Sequence, residues 1–282
     1  MNFADIPDEN ASYEKAQIVV LPVPYDETST WIKGADKGPD AIIEASGNME
    51  LYDIETESQV FEKGIFLARP IRHKDDPKKM VNAVYEKVKH YIDDEKFLVL
   101  LGGEHSVTIG SVIAFTERFN ELCVLQLDAH ADLRPEYQDS IYNHACVMSR
   151  VRELCPVIQV GIRSMDITET PYLIKENLFL AEDIFHTSDW MGRVVSRLSK
   201  NVYITIDLDV FDPSIMPSTG TPEPGGLLWY QVLELLRLVA INRYIVGFDV
   251  VELCPSVVNK APDFLAAKLI YKLLSYKYCL KS

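Results

Sequence analysis

Short segments that are apolar almost without interruption recur along this chain, and they constrain its fold more than any other feature. FLVLL at 97–101 and VYITI at 202–206 are the clearest. A strand with one wet face alternates polar and apolar residues. A continuously apolar strand is covered on both faces, as in a parallel sheet between helices. The segments expected to be strands are Gln17–Leu21, Gly64–Leu67, Phe97–Leu101, Leu122–Leu127, Val157–Gly161, Leu178–Leu180, Val202–Ile206 and Tyr244–Val250. Helices are expected at Pro39–Ala45, Pro77–Ile92, Ser106–Phe119, His144–Glu153, Asp189–Leu198, Trp229–Val239 and Pro262–Tyr276. This alternation predicts an α/β fold, a three-layer α/β/α sandwich with a mostly parallel central sheet of about eight strands. No repeat, low-complexity tract or Gly/Ser linker divides the 282 residues, so 1–282 reads as one domain, large enough to bury a substantial core.

In such folds ligands gather outside the carboxyl ends of the strands. Four expected strand ends carry polar residues: Gly102-Gly103-Glu104-His105-Ser106, then Asp128, His130 and Asp132, then Asp207 and Asp209, then Asp249 and Glu252. In extended backbone, residues i, i+2 and i+4 share a face. Asp128, His130 and Asp132 are therefore expected to point together, as are Asp207 and Asp209. Each motif alone has a plain alternative: a histidine at a helix start, or an aspartate that caps a loop. Their co-occurrence at neighbouring strand ends points instead to a buried metal site. Carboxylate and imidazole without thiolate suit manganese, with zinc, nickel or cobalt as alternatives. Six ligands suit two ions sharing carboxylates, and such a pair, about 3.5–4 Å apart, lowers the pKa of a bridging water towards about 7. The reaction class that follows is metal-assisted hydrolysis.

Charge agrees with a cationic ligand. The net charge is −14 and the pI about 4.9, which makes nucleic acid and anionic membranes poor partners. No apolar run approaches the roughly 20 residues a membrane helix needs, and the acidic start MNFADIPDEN lacks the pattern of a secretory signal. The five cysteines are odd in number and lack paired metal-ligand spacing. Reduced thiols in a cytoplasmic protein are expected.

GGEHS, DAHAD, NHACVMSRV, TIDLDVFDPSIMPSTGTPEPGGL and GFDVVELCP occur here in order. Together with LPVPYDETSTWIKGADKGPDAI near the start, they resemble the ureohydrolase family of arginases and agmatinases, across nearly the whole chain. The resemblance implies the arginase-like fold and a binuclear manganese centre. His105 and Asp132 would bind one ion, His130 and Asp209 the other, and Asp128 and Asp207 would bridge them. His144 matches the family's proton-shuttling histidine, and Glu252 its guanidinium-pairing glutamate. Asp132 would relay a proton to the departing amine, and Asp249 would have a structural or supporting role. Trimers or hexamers are the assemblies it implies.

Within the family the chain is most similar to agmatinases. LRPEYQDSIYNHACVM and GIRSMDITET replace the polar and aspartate-rich stretches by which arginases hold an amino acid. A decarboxylated substrate such as agmatine is therefore expected, giving putrescine and urea. Ser149 stands where agmatinases often have arginine, and Cys254 where arginases usually have asparagine before proline. Relatives with this core accept aminopropylagmatine, guanidinobutyrate, guanidinopropionate, arginine or guanidine. A single-zinc deacylase on a related fold and a non-catalytic family member are the competing readings. The Asp207–Asp209 pair with His105 argues against the first, and the complete ligand set against the second.

Overall fold

The computed structural model describes residues 2–73 and 76–280. In chain order its elements are β1 (Ile18–Val23), α1 (Gly38–Ser46), β2 (Ile65–Leu67), α2 (Pro77–Asp93), β3 (Phe97–Gly102), α3 (Val107–Arg118), β4 (Leu122–Leu127), α4 (Val147–Val151), β5 (Val157–Ile162), β6 (Leu178–Leu180), α5 (Ala181–His186), α6 (Trp190–Arg197), β7 (Asn201–Asp207), α7 (Trp229–Asn242), β8 (Tyr244–Val251) and α8 (Ala261–Cys279). The eight strands form one sheet in the order β2-β1-β3-β8-β7-β4-β5-β6. Every strand pair in it is parallel, so "mostly parallel" becomes wholly parallel.

The apolar runs are covered on both faces, and their residues still divide by the pleat. Ile18 and Val20 of β1 join a core under α1, α6, α7 and α8. Val19 and Leu21 enter the opposite core, under α2, α3 and α4. Helix α2 shows why its segment is helical: Asp76 accepts the Lys79 N–H at 3.2 Å as N-cap and Pro77 opens the first turn. Met80, Val84, Val88 and Tyr91 then repeat at three and four residues and are buried.

Two helix expectations change. His144–Glu153 is a 3₁₀ turn at His144–Cys146 followed by the short α4, because Asn143 caps the turn by accepting the Ala145 N–H at 3.0 Å. Helix α5 has no counterpart in the sequence reading. It follows β6 without a connecting loop and lasts six residues, too few for a helical period to emerge.

Candidate metal centre

The site forms where β3, β8, β7 and β4 end side by side. Gly103 lets two of these ends meet the loop that follows β1. A Cβ there would lie 2.0 Å from the Tyr25 carbonyl oxygen, so only glycine fits. The Gly103 and Glu104 N–H groups donate to the carbonyls of Val23 and Tyr25 at 2.9 and 2.8 Å. The Gly103 carbonyl accepts the Glu252 N–H at 2.8 Å, and Glu252 Oε1 accepts the His105 N–H at 2.7 Å.

His105, Asp128 and Asp132 form one group of donor atoms, and Asp128, His130 and Asp209 a second. Asp128 belongs to both. His105 Nδ1 lies 3.2 Å from Asp128 Oδ2, 3.0 Å from Asp132 Oδ2 and 3.6 Å from Asp207 Oδ2. His130 Nδ1 lies 2.9 Å from Asp209 Oδ2 and 3.7 Å from Asp128 Oδ1. The residues named from sequence thus converge, but not by strand alternation. Strand β4 ends at Leu127, and Asp132 has φ 54°, in the left-handed region. Asp209 sits in a 3₁₀ turn after β7, its N–H bonded to Asp207 Oδ1 at 2.9 Å. Tight turns fold the ligands inward, so the expectation of one extended face is corrected.

The hydrogen bonds around His105 test whether a metal fits. Thr205 Oγ1 donates to Asp249 Oδ1 at 2.6 Å, and His105 Nε2 lies 2.9 Å from the same hydroxyl. The hydroxyl's single hydrogen is used on Asp249, so the His105 proton sits on Nε2. The Nδ1 lone pair then faces three carboxylate oxygens and has no hydrogen-bond partner of its own, although it is buried. Lone pairs converging in a dry pocket require a cation between them. Without one, the ring must carry the charge itself. Burial alone would lower its pKa, but Asp128 and Asp132 raise it well above the ordinary value. Asp132 is pushed up to about 7 by burial and by the Asp128 charge. His130 reaches about 12 because Asp209 and Asp128 outweigh its burial. Burial and the Asp209 charge raise Asp207 well above the carboxylate range. This is an acidic cluster that lacks a countercharge.

His105, His130, Asp132, Asp207, Asp209, His144 and Glu252 all line one cavity of about 240 Å³, beside Trp31, Tyr137 and Met165. Glu252 is buried and at φ 64°. Burial and the neighbouring Glu104 charge push its carboxyl well up. Burial, then the charges of His130 and His105, lower the His144 pKa to about 4. Asp249 is fully buried and bonded to Tyr203 and Thr205, which agrees with a supporting place.

Sequence reading missed several supports. Gln126 Nε2 donates to Asp128 Oδ2 at 2.7 Å, and Gln159 Nε2 to Gln126 Oε1 at 2.7 Å. Both are buried polar residues at matched register in apolar strands, a signal that was available. Arg163 donates to the carbonyls of Asp209 at 2.6 Å and Glu223 at 2.8 Å, stitching the loop after β7 to β5. Ser149 places its N–H on the Asp132 carbonyl at 3.1 Å, which helps to hold that residue's unusual backbone.

Residues 16–275 match the model of the arginase family. The N(1)-aminopropylagmatine ureohydrolase of Thermus thermophilus is 40% identical over 96% of this chain and 93% of its own. That of Synechocystis is 37% identical over 94% and 90%. The agmatine ureohydrolase structure from Thermoplasma volcanium superposes with a TM-score of 0.88 at 30% identity, covering 98% and 95% of the two chains. Sheet order, donor cluster and these likenesses converge: the chain belongs to the arginase family, as a ureohydrolase.

Proposed function

We propose that this enzyme hydrolyses the guanidinium group of N(1)-aminopropylagmatine, releasing urea and spermidine, at a centre of two manganese ions. The observation that carries the reading is the sharing of Asp128 by two donor groups in the cavity that also holds Glu252. His105 and Asp132 would hold one ion, His130 and Asp209 the other, with Asp128 and Asp207 between them. The oxygen and imidazole donors suit manganese, which when bound supplies Lewis-acid activation of water. The cavity lining carries carboxylates and a single arginine, Arg134, itself paired with Asp166 at 3.3 Å. That balance favours a cationic substrate.

The protein's own groups then have distinct tasks. Glu252 accepts hydrogen bonds from the guanidinium and fixes its plane. Asp132, at the cavity beside His105, carries a proton from the attacking water to the departing amine. His144 exchanges that proton with solvent at the cavity wall.

Sequence alone puts agmatine first. The relatives of 37% and 40% identity move the aminopropyl derivative ahead, while agmatine is supported by the structure from Thermoplasma volcanium. The two differ only beyond the distal amine, where exposed Trp31 and Met165 stand at the cavity. Urea release from manganese-loaded protein, across aminopropylagmatine, agmatine, guanidinobutyrate and arginine, decides between them. The first should give the highest kcat/KM. A preference for agmatine reverses the order, and a preference for arginine overturns the reading. His144→Asn should keep its metal and lose turnover; full turnover removes His144 from proton exchange.

The five cysteines are all free, which supports the expected cytoplasmic, reducing setting. Among the described residues no helix is long and apolar enough to cross a membrane.

A further inference from the structure

Glu104 is completely buried beside His105, yet it belongs to neither donor group and does not line the cavity. Its carboxylate is fully engaged elsewhere. Oε1 accepts the hydroxyls of Thr28 and Ser106, each at 2.5 Å, and Oε2 accepts the Thr28 N–H at 2.5 Å. Thr28 in turn touches His144 twice: its Oγ1 accepts the His144 backbone N–H at 3.0 Å and lies 3.2 Å from His144 Nδ1.

We infer that Glu104, acting through Thr28, is a positioning residue that holds the His144 proton on Nδ1 and leaves Nε2 as the nitrogen that exchanges protons in the cavity. The argument is a count of hydrogens. A threonine hydroxyl has one, and here it goes to Glu104. The His144 backbone N–H is already a donor. The remaining contact, to Nδ1, is satisfied only if the ring supplies the hydrogen. Nε2 makes no hydrogen bond among the described residues, while the ring lines the cavity. The same device occurs at His105 with the nitrogens exchanged. There Asp249 and Thr205 place the proton on Nε2 and free Nδ1 for a metal. Two carboxylate–hydroxyl–imidazole chains thus set two tautomers for two tasks.

The inference rests on the proton-exchange role proposed for His144, but its geometry can be tested separately. Nitrogen-15 NMR of the histidine rings in zinc-loaded, diamagnetic protein reads the tautomer directly. Nδ1 of His144 should be protonated in the wild type and in Thr28→Ser, and the preference should be lost in Thr28→Val. Steady-state urea release with manganese should show kcat falling roughly tenfold or more in Thr28→Val with KM within about twofold, and recovering in Thr28→Ser. Glu104→Gln provides a second variant. The Thr28 N–H still needs an acceptor, so the amide oxygen must take the Oε2 position and the NH₂ must face Thr28 Oγ1. The hydroxyl is then turned onto Nδ1, and the ring proton should move to Nε2. A wild-type ring protonated on Nε2, an unchanged tautomer in Glu104→Gln, or equal losses in Thr28→Ser and Thr28→Val each overturn the inference. Full turnover of His144→Asn removes the proton-exchange role while the NMR result still decides the tautomer.

Discussion

Two acidic clusters in this molecule, one around buried Asp53 and one at the strand ends, solve the same electrostatic problem in opposite ways. In one, Asp53 and Glu55 meet Lys272 of α8, whose Nζ lies 3.0 Å from Asp53 Oδ2 and 2.6 Å from Glu55 Oε2. Tyr276 and Arg237 complete the contacts to Glu55, and the Thr56 N–H donates to Asp53 at 2.8 Å. In the other, four aspartates and two histidines converge, and among the described residues no lysine or arginine enters. The first cluster carries its own cation and is finished when the chain folds. The second is left anionic and has to recruit its charge from outside. A fold that closed both internally would be steadier and would have no chemistry.

The contrast is broken most severely at Asp128. Asp128→Asn should reduce bound metal and lower urea release by roughly a thousandfold or more, since the shared ligand is lost to both donor groups. Metal analysis and steady-state kinetics read this. In metal-free protein the substitution also removes the carboxylate that faces both imidazoles and accepts from Gln126 and the His130 N–H, so stability should fall.

Lys272→Met should do the reverse. Removing one partner of a buried pair costs about 3–5 kcal/mol, measured by denaturant unfolding, while metal content and kcat of the folded protein stay near wild type. The sign of the pH effect follows from Asp53 and Glu55, whose pKa values are lowered although burial opposes this, Asp53 by the Thr56 N–H and Lys272, and Glu55 by Lys272 and Tyr276. Their stabilisation is present above the ordinary carboxylate range. It fades as the pH falls through the depressed folded-state values, and the Lys272→Met variant should lose that acid-side slope.

Metal removal is the next largest effect. Manganese at a hundred times its Kd should stabilise the fold by about 2.7 kcal/mol relative to chelated protein, seen as a higher Tm. The Lys272→Met variant should gain the same increment, since the clusters are separate.

Thr205→Val sharpens the comparison with the smallest change. It leaves every donor in place but releases the His105 tautomer, so metal affinity should fall roughly tenfold to a hundredfold, by titration, while the loss of the buried bond to Asp249 costs about 1–3 kcal/mol of stability. An unchanged affinity would mean that the carboxylates alone align the ring.

The strands, and the polar residues that gather at their ends, were legible in the sequence because both signals are local. FLVLL and VYITI announce strands covered on two faces, and D-x-H-x-D places three donors within five residues. What escaped is non-local or conformational. Nothing in ETST at 27–30 says that Thr28 will reach His144, 116 residues on. Hydroxyls at Thr28 and Thr205 look like any others until the sheet brings them beside imidazoles. Asp132 appeared to lie on an extended face because its left-handed backbone depends on the Ser149 N–H at its carbonyl and on Gln159 at the Ala131 carbonyl, not on its neighbours in sequence.

The sheet order has a consequence for how this enzyme is made. Strand β8 is translated after the other seven strands of the sheet, yet it lies between β3 and β7, near the middle. Until it emerges, β3 and β7 each keep an open edge, a state that invites wrong pairing. The candidate donors between residues 105 and 209 are all synthesised by then, but their frame is divided. Insertion of a final central strand is a long-range closure, which sets a slow folding step. The nascent chain therefore holds the donor residues before it holds a site, and catalytic competence waits for β8.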